Sequence, residues 1–259
     1  MSVDTFAEMA NAVNAGDARR YAALYAQDAV ITIYGGEVLK GRDAIETHEV
    51  DLLRQFPGAR LAFYEIWRDG EAAVVHYGVN GQTSSGKSMG HEGLLFYRFH
   101  ASGLIAKERR YFDSLTPMAQ LGALGPVAAR PVPQLASGTK LHVAAGSAQE
   151  RENVSAIPAS FTSMLSPDVV VDDRSLPQSL SGRANATAWF LKWPTVETTN
   201  VQGNGDFVLL ETLIRAGGKF AVHRALIVQM KNGKIANISA FMNGKELAES
   251  LGQWPPPPR

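Results

Sequence analysis

The spacing of apolar residues changes along the chain, and each change marks a different kind of element. Up to residue 56, apolar residues recur every three or four positions, which is typical of helices that bury one face. N-capping residues and glycines divide this stretch into predicted helices at residues 5–15, 17–25 and 41–56, with a predicted strand at residues 29–36. The buried stripe of the last helix is predicted to include His48 beside Ile45 and Leu52.

After residue 57 the period becomes two, which is typical of strands. Four alternating segments follow, joined by short connections that contain Gly, Asp, Asn or Ser, so the sequence predicts a meandering antiparallel sheet. These segments are residues 59–67, 71–81, 89–99 and 104–112. Helices that precede an antiparallel sheet make an α+β domain, with the helices on one face of a curved sheet.

The second half of the chain repeats this order. The segment "LIAKERRYFDSLTPMAQLG" at residues 104–122 has a counterpart in "KIANISAFMNGKELAESLG" at residues 234–252. Helices are predicted at residues 152–165 and 181–193, and strands at residues 167–175, 207–215, 219–230 and 234–242. A chance match would not preserve the order of helix, strand and glycine, so the sequence predicts one fold built twice.

The predicted boundaries give two domains joined by a linker. The first domain covers residues 1–122, and the second, more divergent domain covers residues 149–254. Residues 123–148 are rich in Gly, Pro, Ala and Ser and are predicted to be the linker, in which "KLHV" is a candidate edge strand. Residues 255–259 form a Pro-rich tail.

Composition narrows the classes of function. The 259 residues are 45% hydrophobic and 19% charged, as in globular proteins, and Lys plus Arg balance Asp plus Glu at 25 each. We therefore expect neither nucleic acid nor a membrane as a partner. The chain has no cysteine, which excludes disulfides, thiolate nucleophiles and Cys-bound metals. The N-terminus lacks a continuous apolar leader segment, so we expect a cytoplasmic protein.

The stretch "VNAGDARRYAALYAQDAVITIYGGEVLKGRDAI" at residues 13–45 resembles the opening of nuclear transport factor 2-like domains. This superfamily includes ketosteroid isomerase, SnoaL-like polyketide cyclases and limonene-epoxide hydrolase. The repeated segments at residues 104–122 and 234–252 both resemble the last strand and helical turn of its members. The resemblance covers residues 5–122 and, more weakly, residues 150–254. It implies cone-shaped domains, each a strongly curved sheet wrapped over helices around an apolar pocket. Such domains commonly pair sheet to sheet, which implies a monomer with an intrachain pseudo-dimer, or a homodimer.

The catalytic positions that the resemblance implies are mostly replaced here. Ketosteroid isomerase uses a carboxylate base, a Tyr and a protonated Asp, and these positions fall on Ile33, Met9 and Leu95 in the first copy. The acid/base Asp of SnoaL-like cyclases falls on Arg110. The second copy retains one such residue, because Asp173 occupies the isomerase base position.

Other polar residues are predicted to face the pockets. If Leu95 faces the first pocket, strand alternation places residues of the same strand and of its two neighbours there as well. The predicted catalytic residues are His91, His76, Arg110, Glu108 and Asp173. The predicted substrate-binding residues are Tyr34, His48, Tyr97, Phe112, Trp189 and Arg224.

Each of these residues also has a structural interpretation. The histidines can be hydrogen-bonded structural residues, and Glu108 and Arg110 can simply pair with each other. Asp173 and Arg224 can form a rim pair in a purely structural copy. Alternatively, Arg224 can hold Asp173 ionised or bind an anionic group of a substrate. The histidines show no metal-binding spacing, and no GxGxxG or P-loop motif occurs, so we expect neither a metal nor an organic cofactor.

These observations lead to a primary hypothesis and two alternatives. The first is a cofactor-independent enzyme that performs general acid/base chemistry, such as cyclisation, isomerisation or dehydration, on a polyketide-like or other carbonyl substrate in an apolar pocket. The second is a non-catalytic protein that binds a small apolar molecule. A further alternative is an epoxide hydrolase, to which the combination of Asp173 and Arg224 would contribute.

Overall fold

The computed structural model describes residues 4–124, 130–193, 195–216 and 220–250. The chain divides into two compact units, Met1–Phe112 with Thr116–Leu141, and Asp113–Leu115 with His142–Arg259. The predicted Pro-rich tail at residues 255–259 and part of the predicted linker lie outside the described residues. No helix among the described residues is both long enough and apolar enough to cross a lipid bilayer.

The first unit, with the segment that follows it, contains the elements predicted from the periodicity. They are α1 (Asp4–Ala15), α2 (Ala18–Ala22), β1 (Tyr25–Ile33), β2 (Val38–Lys40), α3 (Arg42–Gln55), β3 (Arg60–Asp69), β4 (Ala72–Gln82), β5 (Ser88–Phe99), β6 (Ile105–Phe112), α4 (Leu115–Gln120) and β7 (Lys140–Val143). The second predicted helix is shorter than expected, because Tyr25 already belongs to β1.

Seven strands form the sheet of the first unit in the order β2-β1-β6-β5-β4-β3-β7. Strands β3 to β6 are antiparallel neighbours, as predicted, whereas β1 runs parallel to β6. The predicted edge strand "KLHV" forms β7. Helix α1 packs on the sheet through Phe6, whose ring contacts those of Phe63 and Tyr97 at centroid distances of 5.6 and 5.3 Å.

The second unit repeats this topology. Its elements are α5 (Ala148–Ser160), a short 3₁₀ helix (Phe161–Met164), β8 (Leu165–Asp173), β9 (Leu180–Ser181), α6 (Arg183–Leu191), β10 (Thr195–Asn204), β11 (Phe207–Ala216), β12 (Phe220–Lys231), β13 (Lys234–Met242) and α7 (Gly244–Ser250). Read from β9, the strand order β9-β8-β13-β12-β11-β10 matches the first six strands of the other sheet. The predicted repeat and the α+β fold class are confirmed.

Strand β10 and the start of α5 differ from the sequence prediction. The segment "TVETTNVQGN" of β10 is polar and pairs only with β11, so it lacks the apolar alternation that marks a half-buried strand. Helix α5 begins within the predicted linker, since Ser147 and Glu150 form a capping box: the Ser147 hydroxyl accepts from the Glu150 amide at 3.1 Å, and the Glu150 carboxylate accepts from the Ser147 amide at 2.8 Å.

Candidate functional site

The first unit contains a cavity of about 120 Å³ between its helices and its sheet. Apolar side chains make most of its wall, namely Met9, Val13, Leu52, Leu61, Val79, Leu95 and Phe112. Polar side chains complete it, namely Tyr21, Glu49, Tyr77, His91, Tyr97, Glu108 and Arg110. Across the described ranges, no group of three or more His, Asp or Glu side chains is arranged to hold a metal ion.

Five of the predicted site residues line this cavity. Strands β5 and β6 pair Leu95 with Arg110 and Tyr97 with Glu108, so the faces predicted by alternation are the faces observed. The five are His91, Tyr97, Glu108, Arg110 and Phe112. Their catalytic or binding roles stay predictions.

The prediction that His76 faces the cavity is wrong. Strand β4 pairs Tyr77 with Gly93, which places Tyr77 on the cavity side and turns His76 to the opposite face. There His76 Nε2 lies 3.1 Å from Glu92 Oε2. A shift of one residue between neighbouring strands exchanges the two faces, and the sequence alone did not fix this register.

The prediction for His48 is also wrong, and Glu49 takes its place. Helix α3 directs Ile45, Glu49 and Leu52 inward, whereas His48 Nδ1 lies 2.8 Å from Glu37 Oε1 and does not line the cavity. Both His48 and Glu49 lie one helical turn from Ile45, at i+3 and i+4. The i+4 spacing was therefore a usable signal, but a carboxylate was not expected among buried side chains.

Tyr34, predicted at the substrate rim, does not line the cavity either. Its ring packs on Tyr111 with a centroid distance of 4.6 Å. Tyr111 alternates with Arg110 and Phe112 along β6 and so faces away from the cavity. Tyr34 therefore belongs to the packing of the outer sheet face.

Glu49 is an acid with an unusual environment. It is 6% exposed, and it has no hydrogen-bond or ion-pair partner in the part of the chain that the structure describes. Burial raises the pKa of Glu49 above its usual value, and the negative charge of Glu108 raises it further. The positive charge of Arg110 lowers the pKa of Glu49, but by less than burial raises it. A carboxyl group that faces a cavity and holds its proton more tightly than usual is suited to accept and return protons.

Glu108 and Arg110 form a ring of hydrogen bonds with two tyrosines. Arg110 Nε donates to Glu108 Oε1, and Tyr25 donates to Glu108 Oε2. Since the Tyr25 proton is used in this way, Tyr21 must donate to Tyr25 across 2.8 Å, and Tyr21 in turn accepts from Arg110 Nη2 at 2.7 Å. The closed ring fixes the guanidinium of Arg110 beside the cavity.

The charges within this ring are buried. Glu108 is 1% exposed. Burial lowers the pKa of Arg110, but Glu108 and the tyrosines outweigh this effect and raise it well above the usual range. Burial raises the pKa of both Tyr21 and Tyr25, so the two phenols stay protonated and remain donors. The predicted Glu108–Arg110 pair is therefore observed, and it also lines the cavity.

His91 is held by an aromatic environment. Its Nε2 lies 3.1 Å from the Tyr77 hydroxyl, and its ring stacks on Phe112 at 4.4 Å. Its other ring nitrogen, Nδ1, is buried and has no hydrogen-bond partner among the described residues. Burial, together with the charge of Arg110, lowers the pKa of His91 to about 4. The ring is therefore neutral at neutral pH.

We expect the imidazole of His91 to titrate near pH 4 in the folded protein. Because this folded-state pKa is below the value of an unfolded chain, the group contributes stability above pH ~6.5, and this contribution is lost as the pH falls toward 4. Imidazole ¹H–¹³C NMR across a pH series, with His91→Gln to assign the signal, measures the midpoint. A midpoint close to 6.5 would show that the ring is open to solvent.

The second unit holds the other predicted residues in a different arrangement. Asp173 is buried, and its carboxylate accepts from Trp189 Nε1 at 2.8 Å and from the hydroxyl of Ser175 at 2.7 Å. Arg224 is also buried, and its Nη1 and Nη2 have no hydrogen-bond partner among the described residues. The predicted rim position of Asp173 and Arg224 is therefore wrong, since both side chains are buried.

The register shows which positions of the two units are equivalent. Ile33 pairs with Arg110 in the first sheet, and Asp173 pairs with Ala240 in the second. The positions of Glu108, Arg110 and Phe112 are therefore occupied by Ile238, Ala240 and Met242. All three of these replacements are apolar and buried, so the ring of charged and phenolic groups belongs to the first unit.

Comparisons with known proteins find one matching family and several similar solved structures. Residues 6–108 match the profile of the SnoaL-like domain. A protein from Catenulispora acidiphila with a ketosteroid isomerase-like fold, solved with trimethylamine, is 14% identical, and the match covers 47% of this chain and 95% of that one with a TM-score of 0.44. Among curated proteins, none matches this chain.

Two further solved structures are also similar to slightly less than half of this chain. A Mycobacterium tuberculosis protein solved with estradiol-17β-hemisuccinate is 19% identical, covering 43% of this chain and 93% of that one with a TM-score of 0.40. IdmH from Streptomyces antibioticus, a candidate polyketide cyclase, is 23% identical, covering 46% of this chain and 97% of that one with a TM-score of 0.41. Each match spans less than half of this chain.

Proposed function

Residues 6–108 belong to the SnoaL-like domain family, and from this premise we propose that the first unit catalyses proton transfer on a small carbonyl compound. The observation that carries the proposal is the position of Glu49: a buried carboxyl without a partner in the described part of the chain lines the same cavity as a fixed guanidinium. A proton acceptor and a cationic donor at one apolar cavity are the two groups that enolisation requires.

Glu49 acts as the general base in this proposal. Its carboxylate removes a proton from the carbon next to the substrate carbonyl, and the electron pair of the broken C–H bond moves onto the carbonyl oxygen. In a β,γ-unsaturated substrate the dienolate takes the proton back from Glu49 at the γ-carbon and the double bond moves into conjugation, which is isomerisation. Alternatively, the enolate attacks a second carbonyl of the same molecule, and the alkoxide that forms takes the proton from Glu49, which completes ring closure. The raised pKa of Glu49 favours the first step, because a base is most effective when its pKa is near the working pH.

Arg110 stabilises the negative charge on the enolate oxygen. Its Nε and Nη2 donate to Glu108 and Tyr21, whereas Nη1 has no partner among the described residues and belongs to a side chain that lines the cavity. A donor held in place before the reaction loses no energy to reorganisation, and its effect is large where water is excluded.

His91 and Tyr77 complete the polar wall of the cavity. A neutral imidazole can donate from one ring nitrogen while it accepts at the other, and His91 uses Nε2 for its contact with Tyr77. The remaining nitrogen, Nδ1, is suited to bind a second oxygen of the substrate. In this proposal His91 binds and orients the substrate, and Glu49 moves the proton.

The shape of the site indicates an elongated substrate. A second cavity of about 100 Å³ adjoins the first, since Val13, Glu49, Leu52 and Val79 line both. Its other walls are mainly apolar, with Leu53, Phe56 and Met89 among them. We propose that the carbonyl lies in the first cavity, beside Arg110, and that an apolar part of the substrate extends past Glu49 into the second one.

Proton exchange in D₂O tests this function without knowledge of the natural substrate. Ketones with aliphatic or aromatic tails are incubated with the protein, and loss of the α-proton signal is followed by ¹H NMR. We expect exchange faster than in protein-free buffer, and faster for tailed ketones than for acetone, because only the tailed ketones fill the second cavity. Binding of these ketones without faster exchange would support the alternative of a non-catalytic binding protein. Absence of both binding and exchange would contradict the proposed ligand class.

A further inference from the structure

Arg224 is the largest charged side chain that the second unit buries completely, with 0% of it exposed. It lies on β12 between Thr212 of β11 and Met242 of β13. Its neighbours at alternate positions along the strand, Val222 and Leu226, belong to the buried apolar clusters of this unit. A cation is therefore placed on the apolar inner face of the second sheet.

The hydrogen-bonding capacity of Arg224 is largely unused. Its Nε donates to Thr212 Oγ1 at 3.3 Å, but Nη1 and Nη2 have no partner within the described residues. The guanidinium carbon lies 5.0 Å from the ring of Trp189 and 6.0 Å from that of Trp193. Indole rings attract the positive charge, but they offer no lone pair to N–H groups in the guanidinium plane.

A third donor without a partner lies beside the guanidinium. The indole nitrogen of Trp193 is buried and has no acceptor in the described part of the chain. The nearby carboxylate of Asp173 accepts from Trp189 and Ser175. Burial lowers the pKa of Arg224 to about 10, with Asp173 opposing this shift, so the guanidinium is charged at neutral pH. Buried donors normally have partners, and three together without one require an explanation.

The first unit has no counterpart of this arrangement. Since Leu95 pairs with Arg110 and Leu226 pairs with Ala240, the position of Arg224 corresponds to Gly93. A Cβ atom at Gly93 would lie 2.5 Å from the ring of Tyr77, so that unit has no room for a side chain at this position. Arg224 is a feature of the second unit, and the shared fold does not require it.

We propose that the second unit has a binding site of its own, in which Arg224 and Trp193 bind the carboxylate of a small apolar acid. The two terminal nitrogens of Arg224 match the two oxygens of a carboxylate, which is the geometry that arginine favours. The indole N–H of Trp193 supplies a third hydrogen bond. In this proposal the rings of Trp189 and Trp193, which lie near the guanidinium, and the side chain of Met242, the strand partner of Arg224, pack against the apolar body of the acid.

A purely structural role makes the opposite prediction for ligand binding. If no ligand compensates Arg224, its buried charge lowers stability, and an apolar residue of similar volume is tolerated without any loss of binding. Two measurements therefore distinguish a binding role of Arg224 from a structural one. They are whether a small acid binds to the protein and stabilises it, and whether that binding is lost when Arg224 is replaced.

The experiment compares benzoate with benzamide, which has the same shape and no charge, as ligands of the full-length chain. We expect benzoate to bind by calorimetry and to raise the unfolding temperature, benzamide to do neither, and Arg224→Met to weaken benzoate binding by about tenfold or more. Arg215→Met is the matched control, because it removes an arginine of the same unit that pairs with Glu197 at the surface, and it should leave benzoate binding unchanged. Arg224→Lys and Trp193→Phe serve if Arg224→Met does not fold, and both should weaken binding.

Four results would overturn this proposal. Three of them are no binding of millimolar benzoate to the wild-type protein, equal binding of benzamide, and benzoate binding that survives all three substitutions at Arg224 and Trp193. The fourth is an equal loss of benzoate binding in Arg215→Met, which would show that the loss of any arginine of the second unit has the same effect. None of these results depends on whether the first unit catalyses proton exchange.

Discussion

Replacing Glu49 with glutamine is expected to slow proton exchange on a carbonyl substrate by about 10²–10⁴-fold, the usual contribution of a general base. Glutamine keeps the size and polarity of the side chain but cannot accept a proton. The rate is measured by ¹H NMR in D₂O with whichever tailed ketone the wild-type protein exchanges fastest. Substrate binding should change little, because the apolar walls of both cavities are intact.

The same substitution is not expected to damage the fold. The pKa of Glu49 is raised by burial, so the native state favours the neutral acid, and the stability that this carboxyl contributes is present at low pH and lost as the pH rises through its folded pKa. Glutamine is neutral at every pH. Glu49→Gln should therefore be at least as stable as the wild type at neutral pH, and loss of activity cannot be assigned to unfolding.

His48→Gln is the matched control on the same helix. His48 pairs with Glu37 and does not line the cavity, so its loss should leave the exchange rate close to that of the wild type. If His48→Gln slowed exchange and Glu49→Gln did not, the base would have been assigned to the wrong residue of α3. If neither substitution changed the rate, Glu49 would not be the base.

The contrast between His48 and Glu49 shows what the sequence could predict here. The order of elements follows from periodicity and glycine positions, and the faces of β5 and β6 follow from strand alternation, so His91, Tyr97 and Arg110 were placed correctly. These patterns are local to one element. They do not depend on how that element meets its neighbours.

The errors arose where a choice depends on contacts between elements. Whether helix α3 buries His48 or Glu49 depends on how the helix is rotated against the sheet. Which face of the sheet His76 occupies depends on the register of β4 against β5. The ring that joins Tyr25 to Glu108 links residues far apart in the chain, so no spacing in the sequence could show it. The unpartnered donors of Arg224 are likewise a property of its surroundings.

Removing one charge of the ring should destabilise the first unit strongly. Glu108→Ala leaves the buried guanidinium of Arg110 without its counter-ion and Tyr25 without its acceptor. Breaking a buried ion pair from one side typically costs about 3–5 kcal/mol. Since the chain has two units, one unfolding transition need not report on both, and hydrogen exchange of the backbone amides of β1 and β6 measures the first unit alone.

The double variant Glu108→Leu with Arg110→Met separates charge from packing. If the cost of Glu108→Ala comes from an uncompensated buried cation, removing both charges should restore most of the lost stability, because neither partner then has to leave water. Exchange activity should stay absent, since the oxyanion donor has gone. A double variant that is as unstable as Glu108→Ala would show that the ring is held by shape rather than by charge. In that case Arg110 would not be preorganised by Glu108, and the part of the mechanism that assigns it to the enolate oxygen would lose its physical basis.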